Sequence, residues 1–201
     1  MSNTSTKVRQ ITLAAILTAI ILLMAFTPLG YLRVGPVSIT FLVIPVVIGG
    51  MMLGPVWGGF LGAVFGATSF AQCFMGDPFG AALVAINPLA TAFTCFIPRI
   101  LIGVVAGLLF QALWKVSKLS SISFVGTAVA GTLTNTVFFI GMVIGFFQNS
   151  YFGGAGVGSI IAIFFSFNMV LELVVSIIVS AAMSVVLDRF VLKAPRYQIA
   201  G

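Results

Sequence analysis

Residues 49–66 read Gly-Gly-Met-Met-Leu-Gly-Pro-Val-Trp-Gly-Gly-Phe-Leu-Gly-Ala-Val-Phe-Gly, in the middle of a run, 34–76, that carries no charged side chain. A helix that crosses a bilayer needs about 20 apolar residues, so this run is too long for one crossing. The glycines and Pro55 clustered at 49–59 mark a tight turn. The spacing therefore predicts a helix over 38–53 and a partner over 56–75, ended by Asp77-Pro78.

The same reading extends in both directions. Residues 10–32 lack charge and hold a first helix, 11–28. A fourth is expected over 91–114, after Asn87-Pro88 and before Lys115, with Pro98 bending it near its outer end. The uncharged stretch 119–171 accommodates a fifth, 122–147, a glycine-rich loop over 148–158, and the start of a sixth, 159–188. The expected class is an all-α integral membrane protein, one domain of six transmembrane helices spanning 1–201.

Composition agrees with that class. Of 201 residues 61% are apolar and 6% charged, with no histidine, and the mean hydropathy is +1.27. A water-soluble domain carries roughly a quarter of its residues as charges. Lys7, Arg9, Lys115, Lys118, Arg189, Lys193 and Arg196 all fall at the termini or between helices four and five, leaving Arg33 on the opposite side. Basic residues are retained in the cytoplasm, so both termini are expected there. The net charge of +6 is read as this topology signal, and no nucleic acid is expected as a partner. The first helix resembles a signal peptide in its flanks, but its apolar run is long and no A-x-A site follows, so it is expected to be retained.

Much chemistry is excluded. Without histidine, and with Asp77, Glu172 and Asp188 as the acids, neither a Ser/His/Asp triad nor a histidine-ligated zinc site can form. Cys73 and Cys95 lack CxxC spacing and read as small apolar fillers. No glycine precedes a lysine, so there is no Walker A loop. Neither a catalytic residue, a metal nor a bound cofactor is expected; energy would have to come from another protein.

Small residues recur every four positions: Gly58, Gly62 and Gly66; Gly103 and Gly107; Ser176, Ser180 and Ser184; Ala15 and Ala19. In lipid, such ladders let backbones approach. The first three read as internal seams, while Ala15 and Ala19, on an edge helix, could instead face another protein.

Two charges lie at membrane depth. Arg99 is sixteen residues, about 24 Å, from Lys115, and Glu172 is seventeen residues, about 25.5 Å, from Arg189. They share a level, where each costs ~2.5–3.5 kcal/mol unless partnered. Either they pair with each other or they divide between a partner and a ligand. Asn135 and Asn168 converge on the same level, Gln72, Asn87 and Thr91 flank its mouth, and Tyr31, Phe74, Phe79, Tyr151 and Phe152 form either walls and a lid or an interfacial belt. Apolar walls with a few convergent polar groups suit a small amphipathic molecule, and the arginines favour an anion. There is no inverted repeat and no ionisable relay, as an ion-coupled carrier would need.

Residues 50–66, Ile86-Asn-Pro with Ile97-Pro-Arg99, Gly131-Thr-Leu-Thr-Asn-Thr136 and Asn168-x-x-x-Glu172 together resemble an S component, the substrate-binding subunit of an energy-coupling factor (ECF) vitamin transporter, in the style of the pantothenate branch. The resemblance implies capture of a vitamin from outside by Arg99, Asn135, Asn168, Glu172, Asn87, Gln72, Tyr31 and Phe74. It also implies docking through Ala15 and Ala19 on an EcfT-like transmembrane coupling subunit carrying two cytoplasmic ATPases, which hydrolyse the ATP, and toppling to release substrate inward. Pantothenate, with a carboxylate, two hydroxyls and an amide, suits a buried arginine beside asparagines; folate and pyridoxine are the alternatives within the family. Outside it stand a solitary facilitator and an intramembrane lipid-modifying enzyme.

Overall fold

A computed structural model of the chain describes residues 3–27, 30–34, 37–117, 120–153, 156, 158–159, 161, 173–175, 177–178 and 181. The elements are α1 (Asn3–Ala25), β1 (Tyr31–Val34), β2 (Val37–Thr40), α2 (Val43–Leu53), α3 (Pro55–Met75), α4 (Pro78–Ile86), α5 (Pro88–Ser117) and α6 (Ser120–Phe147). Among the described residues four segments are long and apolar enough to cross a membrane: Lys7–Ala25, Pro55–Met75, Pro88–Lys115 and Ser123–Phe147. The expected sixth helix, 159–188, lies largely outside the described residues.

Two expectations need correction. The helix predicted over 38–53 begins at Val43, because β1 and β2 pair as an antiparallel hairpin with Tyr31 opposite Thr40 and Val34 opposite Val37. Valine, isoleucine and threonine in close succession over 37–40 favour the extended chain, and eleven residues leave α2 only about 16 Å long. The fourth helix predicted over 91–114 begins at Pro88 as α5, and the short helix α4 precedes it. Asp77-Pro78 and Asn87-Pro88 each place a capping residue before a proline in the first helical turn, so the two prolines start α4 and α5 in succession.

Gly54 makes the α2–α3 turn possible. Its φ of 91° is a conformation that side chains with a Cβ rarely adopt, and Pro55 then starts α3 at once. Helix α3 packs antiparallel to α5 with backbones nearly touching. A Cβ at Gly58 or Gly103 would collide with the other's backbone, one at Gly62 with the Arg99 carbonyl, and one at Gly107 with Pro55. The glycine ladders are thus the α3–α5 seam, whereas the Ser176 ladder lies outside the described residues. Around the seam Ile21, Leu42, Val46, Leu61, Phe65, Ile102 and Ala106 are fully buried. Leu23, Val56, Leu89 and Val137 point outward, the arrangement expected of a protein whose solvent is hydrocarbon.

Candidate binding site

Arg99 sits in mid-α5 and is 8% exposed. Its Nη1 donates to the Thr94 carbonyl at 2.8 Å. Its guanidinium carbon lies 4.8 Å from the centre of the Phe139 ring on α6 and 5.5 Å from that of Phe65 on α3. Both rings present a negative π-face to the cation. The Nε is buried and has no hydrogen-bond acceptor among the described residues.

Buried polar side chains lie on the three helices, α3, α5 and α6, that meet at the guanidinium. Asn135, one turn before Phe139 on α6, is 6% exposed, and Thr132 and Thr136 beside it are buried. Thr68, Thr91 and Thr94 are buried as well, and their hydroxyls donate to the carbonyls of Phe65, Asn87 and Ala90 at 2.8–2.9 Å. Each hydroxyl oxygen keeps its acceptor lone pairs. These helices thus carry a buried cation, a buried asparagine and buried hydroxyl oxygens within an apolar shell.

Phe139, Thr68 and Thr94 did not emerge from sequence reasoning, and Phe65, Thr132 and Thr136 entered it only within the motifs that carry the resemblance. The signal for Phe139 was its position four residues after Asn135, on the same helix face. That for Phe65 was its place inside the Gly62–Gly66 ladder, which holds it against α5.

Other expected residues have different contacts. Gln72 donates through Nε2 to the Ala25 carbonyl at 2.7 Å, tying the end of α3 to the end of α1. Asn87 is exposed, and its Oδ1 accepts from the Leu89 and Ala90 N–H groups at 3.1 Å each. It is the N-cap of α5. Phe74 is 63% exposed and meets Phe70 edge-on at 5.2 Å. Tyr31 is in β1, with its side chain outside the described residues, and Asn168 and Glu172 lie outside them altogether.

Three of the outer aromatics do assemble. Phe79 on α4 meets Tyr151 edge-on at 5.3 Å, Tyr151 meets Phe152 at 4.8 Å, and Phe79, Phe152 and Phe139 pack on Ile140 and Val143. An aromatic cluster thus continues from the ring over Arg99 to the turn after α6. Asp77 is the N-cap of α4, and its carbonyl accepts from Ala81 N–H at 2.9 Å as the first bond of that helix. Cys73 and Cys95, read as separate fillers, touch: their sulfurs are 4.0 Å apart, both buried and unlinked. Among the described residues no three metal-ligating side chains come together.

The capping geometry at Asn87 yields a prediction. Asn87→Ala lowers stability by about 1 kcal/mol, the usual loss when a capping side chain is removed, while ligand affinity stays within twofold because the amide is already engaged by α5. Thermal unfolding and equilibrium binding on the same preparation check both halves, and a large fall in affinity would return Asn87 to the binding site.

Comparison with known proteins gives a family. The model of the family described as "ECF transporter, substrate-specific component" matches residues 9–187. The pantothenate transporter PanT of Leuconostoc mesenteroides subsp. mesenteroides is 33% identical over 201 residues, covering 93% of this chain and 95% of the relative. The pantothenic acid transporter PanT of Lactococcus lactis subsp. cremoris is 30% identical over 162 residues, covering 73% and 76%.

Proposed function

We propose, on the premise that this chain belongs to the substrate-specific components of ECF transporters, that it captures pantothenate from outside the cell and hands it inward when docked on an ATP-driven coupling module. It is accordingly a multi-pass bacterial membrane protein and a transport subunit, not an enzyme. The observation that carries the vitamin assignment is Arg99, buried between two aromatic rings with its Nε edge unengaged among the described residues. A carboxylate is the group that completes such an edge, and the names of both relatives point to the same vitamin. Folate would need a larger aromatic cleft, and neutral pyridoxine would leave the cation without a counter-charge.

In this reading the chain forms one six-helix membrane domain with both termini cytoplasmic, as the distribution of lysine and arginine favours. The binding site then opens outward, with Asn135, Asn168 and Glu172 completing it and Tyr31 and the outer aromatics near its entrance. Ala15 and Ala19, both exposed on α1, offer a small-residue surface on which a transmembrane coupling subunit seats. Two ATPases beneath it hydrolyse ATP, and toppling of the loaded subunit delivers the vitamin inward. This chain itself binds no cofactor.

The test is equilibrium binding by detergent-purified protein without ATP or partner subunits. Pantothenate saturates one site, and at 100 times its Kd it stabilises the protein by about 2.7 kcal/mol through mass action, read as a rise in melting temperature. A panel containing folate and pyridoxine leaves the melting temperature unchanged. A rise with another vitamin alone overturns the assignment, and uptake into liposomes with no ATPase present would make the chain a facilitator.

A further inference from the structure

We infer that Pro98 is a positioning residue for Arg99: by withholding a backbone N–H it frees the Thr94 carbonyl to hold the guanidinium by Nη1, which turns the Nε–Nη2 edge toward a ligand carboxylate. The inference rests on the functional reading above and adds to it how the cation is aimed.

In an α-helix each N–H bonds the carbonyl four residues back. The N–H that would meet Thr94 belongs to residue 98, and proline has none. Pro98 lies inside the continuous helix α5, so the helix cannot satisfy this carbonyl by ending there. Thr94 is 1% exposed, where no solvent replaces the missing donor and an unmet carbonyl is costly. Its own hydroxyl does not help, because that hydroxyl donates to Ala90. The replacement donor is Nη1 of Arg99, five residues on, at 2.8 Å.

That single bond decides which edge of the fork remains. A guanidinium has five N–H donors in a rigid plane. With Nη1 held by Thr94, the edge formed by Nε and Nη2 is left for a bidentate carboxylate, and Nε has no acceptor among the described residues. Phe65 and Phe139 hold the plane from two neighbouring helices. A flexible side chain fixed before binding does not lose its freedom when the ligand arrives. Proline and arginine therefore act as one device, and their adjacency in the chain is what brings the freed carbonyl within reach.

The experiment compares pantothenate with pantothenol, the same molecule bearing a primary alcohol in place of the carboxylate, on the full-length wild-type protein and on Pro98→Ala. Alanine restores the N–H to Thr94 and releases Nη1. Pro98→Ala is expected to weaken pantothenate binding about tenfold while leaving pantothenol within twofold, so the ratio of the two affinities falls about tenfold. Should the alanine variant not fold, Pro98→Gly also returns the N–H while leaving the backbone free to bend, and the same ratio is read. An unchanged ratio, whether both affinities stay or fall together, overturns the inference, because a proline that merely shapes the helix affects both ligands alike. Wild-type protein that binds neither ligand overturns the functional reading itself, an outcome recognisable before any variant is made.

Discussion

Arg99→Ala should bind pantothenate far more weakly than the wild-type protein does. Removing one partner from a desolvated, hydrogen-bonded charge pair costs about 2–5 kcal/mol, and each 1.4 kcal/mol is tenfold, so the expected loss lies between roughly 30-fold and several thousand-fold. The fold should survive, because the closest backbone contacts are made by Gly58, Gly62 and Gly103 across the α3–α5 seam and not by the guanidinium. What the variant forfeits structurally is two cation–π contacts and the donor to Thr94. Arg99→Lys should fall between the two, since an ammonium keeps the charge but lacks the planar fork. Radioligand binding on monodisperse protein measures all three. Near-normal affinity in Arg99→Ala would remove the carboxylate from this site.

Gly103→Val should give the largest loss of folded protein. A Cβ at this position would occupy the space of the Gly58 backbone, and Gly50 lies against the other side of the same turn, its own Cβ position 2.6 Å from the Gly103 carbonyl. The collision is with main chain, which cannot rotate away as a side chain does. Overpacking a core ordinarily costs about 1–3 kcal/mol and occasionally more, and displacement of three helices belongs at or beyond the upper end. The yield of monodisperse protein and its melting temperature provide the measurement. Gly141→Ala and Gly145→Ala are the controls: among the described residues nothing lies within 4 Å of a Cβ at either site, so stability should hold or rise by up to about 1 kcal/mol as helix propensity improves. Equal losses at all three positions would mean that the seam does not depend on backbone contact.

These glycines mark the boundary between what was legible and what was not. Four-residue spacing identified Gly58, Gly62, Gly66, Gly103 and Gly107 as seam residues, because small residues are what permit approach in lipid. Their pairing across helices could not be read, since periodicity describes one helix face and is silent on which face it meets. Arg99 was legible for a different reason: a charge about 24 Å from the nearest basic anchor on its helix must find a partner. Its actual neighbours, Phe65 and Phe139, look like any other phenylalanines in a chain containing twenty.

Gln72 and Asn87 were harder. Placed at the ends of helices, each could serve a ligand or a backbone, and the sequence carries no term that separates the two. The structure engages Gln72 with the Ala25 carbonyl and Asn87 with the first turn of α5. Asn87-Pro88 was in fact a capping signal, while Asp77 takes the N-cap position of α4 without a side-chain cap bond. The strand at 37–40 was missed because uncharged, β-branched residues also suit a buried helix, and hydropathy alone does not distinguish them.

The sequence by itself determined the solvent, the helical class, the seam residues and the depth of Arg99, because each follows from how much polar surface a segment can leave unmet in hydrocarbon. The tertiary structure decided which rings flank that arginine, which carbonyl holds it and which edge stays open. Those depend on the register at which α3, α5 and α6 meet, and register is set by contacts between segments far apart in the chain.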